Sequence, residues 1–73
     1  MRGRARRTTA SVWGRTYDIR VVQTGKVTWM AYGDVTFKDM EGKEVTEHVS
    51  EKGRSEGAAI RHWERMAAMV MDY

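Results

Sequence analysis

Catalysis needs a nucleophile beside a base, carboxylates whose pKa values are driven apart, or ligands gathered at metal spacing, and few residues of this 73-residue chain qualify for any of these. His48 and His62 are its two histidines, and neither has a third ligand at metal spacing, so they read as surface or edge residues and no metal is expected. The acids of KDMEGKEVTE alternate with lysines across a turn, which is the pattern of a solvated loop; a catalytic pair would need burial to split its pKa values. Serines and threonines stand without a His and Asp constellation, and no glycine-rich loop joins a strand to a helix as a phosphate-binding loop does. The expectation is a chain that is not an enzyme, with no cofactor and no small-molecule substrate.

The residues that remain chemically interesting bind rather than react. Arg2, Arg4, Arg6 and Arg7 crowd the start, MRGRARRTTASVWG, and form a candidate nucleic-acid arm. Their weight in the charge balance is large. The chain carries +3, yet beyond the arginine-rich start nine cations face ten acids, a net of −1. A nucleic-acid binder ordinarily carries a cationic stripe on its folded surface, so the near-neutral remainder favours a protein partner, with nucleic acid as the alternative reached through the arginines.

These residues have to be positioned by elements that the periodicity shows. Tyr17, Ile19 and Val21 alternate with Asp18, Arg20 and Val22 until QTGK breaks the run, which makes a strand and a tight turn. A second strand puts Val27, Trp29, Ala31, Gly33, Val35 and Phe37 on one face and Thr28, Met30, Tyr32, Asp34, Thr36 and Lys38 on the other. KDMEGK is turn chemistry, and Val45 and Val49 mark a third, more polar strand. From Ser55, a cap followed by Glu56, the period becomes helical: Ala59, Trp63, Met66, Ala67 and Val70 share one side, with Ile60 at its border, and Arg61, Glu64, Arg65, Ala68 and Asp72 the other. The fold expected is α+β, a three-stranded antiparallel meander over about Tyr17 to Ser50 with one helix over about Ser55 to Met71 on one face. Residues 1–9 are expected to be a disordered basic tail and residues 10–73 one small domain, in which the segment around Val12 and Trp13 either extends the first strand or folds across the sheet edge.

One helix covers one face, which leaves the other open. Val22, Met30 and Tyr32 fall on that open face beside Arg20 and Thr46, and this group is the candidate protein-interaction surface, for another protein or a second copy of the chain. The chain lacks cysteine, so packing alone must hold it, and it lacks an apolar run of transmembrane length; a cytoplasmic protein without a membrane partner is the expectation.

Three likenesses bear on these elements. GRSEGAA resembles the start of the last helix in double-stranded RNA-binding domains, whose two phosphate-binding lysine positions hold Glu56 and Gly57 here, so that resemblance implies architecture only. TWMAYGDVTFKDMEGKE followed by KGRSEGAAIRHW, within residues 27–63, is similar to the sheet and helix of the arm-binding domain of phage integrases. That resemblance implies DNA contact by the outer sheet face, where Arg20 and Lys38 stand among Asp18, Asp34 and Glu44. The helix stacked on a sheet is also similar to small antitoxin subunits and phage-borne inhibitors, which implies action by protein contact.

Overall fold

A computed structural model describes residues 4–71. Four strands, β1 (Arg6–Val12), β2 (Arg15–Gly25), β3 (Thr28–Lys38) and β4 (Glu44–Gly53), are followed by one helix, α1 (Glu56–Met71). The sheet is an antiparallel meander in the order β1-β2-β3-β4. The α+β class, the antiparallel sheet and the single C-terminal helix agree with the sequence expectation; the strand count does not.

The additional strand is β1. Residues 6–9, expected in a disordered tail, pair with β2, with Arg6 opposite Val21 and Thr9 opposite Asp18. The inward parity of β1 carries only two buried apolar side chains, Ala10 and Val12, and its first four residues are two arginines and two threonines. Such a strand is stabilised by its ladder and by α1 more than by its own hydrophobic pattern. Arg2 lies outside the described residues.

The core forms where α1 crosses the inner sheet face. Val21, Ile19, Ala31, Val35 and Val49 meet Ala59, Trp63 and Ala67, with Trp29, Phe37, Ile60, Met66 and Val70 packed at the margin. Trp63 is fully buried, and its indole N–H donates to the Val49 carbonyl at 2.9 Å, so its one polar atom is satisfied. Tyr17 tilts against it with ring centroids 6.1 Å apart. The Ser55 hydroxyl accepts the Ala58 amide at 3.1 Å, capping the helix as its sequence suggests.

The helix also fastens both edges of the sheet. On the β4 side, a Cβ on Gly53 would lie 2.3 Å from the Ala59 nitrogen, so only glycine lets helix and strand approach this closely, and the His62 ring donates from Nδ1 to the Lys52 carbonyl at 2.7 Å. On the β1 side, the Glu64 carboxylate accepts the Ser11 amide at 2.7 Å and Arg6 is ion-paired with Glu56. The Glu64 contact occupies an outward amide of an edge strand, a group otherwise open to pairing with another chain. Among the described residues no helix is long and apolar enough to cross a membrane.

Candidate nucleic-acid interface

Cross-strand register decides what stands beside what on the face opposite α1. Arg7 pairs with Arg20, Arg20 with Tyr32, and Tyr32 with Ser50, so one continuous row crosses all four strands. Below it, β2 and β3 part company: their pairing ends at Arg20 and Tyr32, while β2 runs on with β1 and β3 runs on with β4. A groove of about 290 Å³ opens there, lined by Arg7, Asp18, Arg20, Tyr32, Asp34 and His48, with Ile19 and Gly33 at its floor. Gly33 permits this geometry, because a Cβ in its place would lie 2.8 Å from the Ile19 Cγ2.

The groove's two sides differ. On the β3–β4 side, His48 Nδ1 and Asp34 Oδ1 are 2.8 Å apart and the His48 ring tilts toward Tyr32 with centroids 6.3 Å apart. These partners hold one another. On the β1–β2 side, Arg7 and Arg20 are direct cross-strand partners that both line the groove, and neither is in an ion pair with another described residue. Like charges directly opposite each other weaken a sheet, so this pair favours an anion between or above them.

The wider charge distribution has the same sense. Between residues 4 and 27, six cations (Arg4, Arg6, Arg7, Arg15, Arg20 and Lys26) face one acid, Asp18, a net of +5. Between residues 28 and 53, three lysines face six acids, a net of −3. The groove itself is balanced, Arg7 and Arg20 against Asp18 and Asp34. The positive field therefore belongs to residues 4–27 as a whole, and the groove sits at the border between the two fields.

The residues singled out from the sequence are distributed as follows. Val22 pairs with Met30, and these lie next to the Arg20–Tyr32 pair, so four members of the expected patch are together and half-exposed or exposed. Thr46 is not with them: it pairs with Thr36 further along β4, and their hydroxyls are 3.1 Å apart. The arginines also separate. Arg4 is exposed ahead of β1, Arg6 turns to the helix side and meets Glu56, and Arg7 joins the outer face. Asp18, Asp34 and His48 enter the groove without having been sequence candidates for binding; the alternation of β2 and β3 put the two acids on the correct face, but only register brings them to one place. No protein-family model matches the chain, and no curated protein or solved structure matches it either.

Proposed function

We propose that this chain is a non-catalytic module that binds nucleic acid with the β1–β2 hairpin and the groove beside Tyr32. The observation that carries this reading is the Arg7–Arg20 pair, cross-strand partners on the sheet face opposite α1 that have no ion pair among the described residues. The −1 balance of the remainder favours a protein partner only if the arginines stand apart from the fold as a tail. With Arg6 and Arg7 built into β1, the positive charge belongs to the folded surface, and a phosphate backbone is the polyanion that such a surface attracts most generally.

The test is fluorescence anisotropy of labelled single-stranded and duplex oligonucleotides over a salt series. With Arg4, Arg7 and Arg20 on phosphates, log affinity should fall against log salt with a slope of about −2 to −3, at roughly −0.7 per contact on single strands and −0.9 on duplex. Absence of binding at low salt removes the reading. A second reading, contact with another protein, is favoured by the half-buried Val22–Met30 pair next to Tyr32 on the same face. Light scattering of Met30→Glu with Tyr32→Glu checks it for self-association: loss of a dimer in a protein that stays folded supports this second reading.

A further inference from the structure

The tip of the β1–β2 hairpin combines two unfavourable features in one residue. Val12 pairs with Arg15, so Trp13 and Gly14 form a two-residue turn, and both have positive φ, 51° and 78°. Positive φ at both central positions is what a primed hairpin turn demands, and Asn-Gly is its usual sequence because a bulky side chain is disfavoured in the left-handed region. Trp13 is the one non-glycine residue with positive φ among those described. Its side chain gains nothing visible in return: it is 65% exposed, lies outside the core and its margin, and has no hydrogen bond or ring contact with another described residue. Trp29 and Trp63 both pack into or against the core. Val27, Met40 and Met69, the other large exposed apolar residues among those described, have no positive φ.

We infer that Trp13 is a base-stacking residue, an indole carried at the tip of the basic hairpin to meet an unpaired base of single-stranded nucleic acid. This rests on the nucleic-acid reading given above. The hairpin that carries the ring, with the residues that flank it, holds Arg4, Arg6, Arg7, Arg15, Arg20 and Lys26 against Asp18 alone, so what approaches the tip is selected for negative charge. Of the polyanions such a hairpin attracts, a nucleic acid carries one large apolar surface for an indole, the face of a base. In a duplex those faces are covered by neighbouring bases, whereas in a single strand they are free, and stacking of this kind tolerates any base sequence. Arg15, exposed directly after the turn, stands where a phosphate adjoining the stacked base would be neutralised.

The experiment uses the full chain, its Trp13→Asn and Trp13→Phe variants, and a labelled single-stranded oligonucleotide with its duplex form. Asparagine suits the turn better than tryptophan, so Trp13→Asn should melt at the same temperature as the parent or higher, yet bind the single strand about tenfold or more weakly, ~1.4 kcal/mol per tenfold. Trp13→Phe should keep most of the affinity and lack the quenching of tryptophan emission expected of the parent on binding. A parent that binds neither oligonucleotide overturns the proposed function together with this inference. Nucleic-acid binding that is undiminished in Trp13→Asn, or tighter for duplex than for single strand, overturns the inference alone. A marked drop in the melting temperature of Trp13→Asn also overturns it, since the ring would then be holding the fold.

Discussion

The sheet is made of two antiparallel hairpins that solve the same geometric problem differently. In β3–β4, the Asp39 carboxylate accepts the amides of Glu41 and Lys43 at 2.9 Å each, and the loop closes with its backbone partnered. In β1–β2, the turn has an exposed tryptophan in a left-handed conformation. Residues 4–27, the β1–β2 hairpin with its flanking residues, bear a net of +5, and residues 28–53, the β3–β4 hairpin, a net of −3. Trp63, His62 and the close approach at Gly53 attach the helix to β4, while side-chain bridges from Glu56 and Glu64 reach β1. Local rules are obeyed where the helix needs a rigid base and broken where the surface is open. Departures of that kind concentrate at functional sites, which is why β3–β4–α1 reads as the frame and β1–β2 as the working part.

The comparison breaks first at its strongest point. Trp63→Ala should cost about 3–5 kcal/mol, as truncation of a buried aromatic does, which in a domain with about 5–15 kcal/mol of total stability approaches unfolding. Denaturant melts measure it, and a midpoint equal to the parent's would mean that α1 does not pack through this residue. Next comes the seam between helix and β4: Gly53→Val should destabilise by about 1–3 kcal/mol or more, because its side chain must displace backbone at Ala59. Thermal melting is sufficient to see it.

On the other side of the sheet the effects should be smaller. Glu64→Ala removes the acceptor of the Ser11 amide, an exposed bond, and should cost about 1 kcal/mol. Hydrogen exchange sharpens that prediction, since Ser11 should lose protection while the amides paired between β3 and β4 keep theirs. Smallest for stability and largest for binding is Arg7→Ala with Arg20→Ala. Both side chains are exposed and their mutual repulsion is removed, so folding should change by within about 0.5 kcal/mol, whereas oligonucleotide affinity should fall and the salt slope should flatten by roughly the two lost contacts. A large loss of stability in that pair would place the arginines in the frame and erase the distinction between the two hairpins.

Most of the frame was legible in the residue order. Strands β2, β3 and β4 follow from alternation, α1 from its helical period and the Ser55 cap, and the loop at KDMEGK from its turn residues. Strand β1 was not legible, for two physical reasons. Its outward residues and half of its inward ones are polar, so the alternation signal reduces to Ala10 and Val12, and its turn uses Trp13-Gly14 where a hairpin is normally announced by Asn-Gly or Asp-Gly.

The sheet face opposite α1 divides in the same manner. Alternation alone puts Arg20, Val22, Met30 and Tyr32 opposite the core, because side chains of one strand change face at every residue and the inner face is fixed by Ile19, Val21, Ala31 and Val35. Which residues of different strands become neighbours is set by register, a property of pairing between distant segments that no single strand contains. Tertiary structure therefore decided that Arg7 joins Arg20 and Tyr32, that Thr46 pairs with Thr36 instead, and that the parting of β2 from β3 opens a groove between them. It also divided a run of arginines that the sequence presents as one feature, turning Arg6 toward Glu56 and Arg7 to the open face, since consecutive residues of a strand must point to opposite sides.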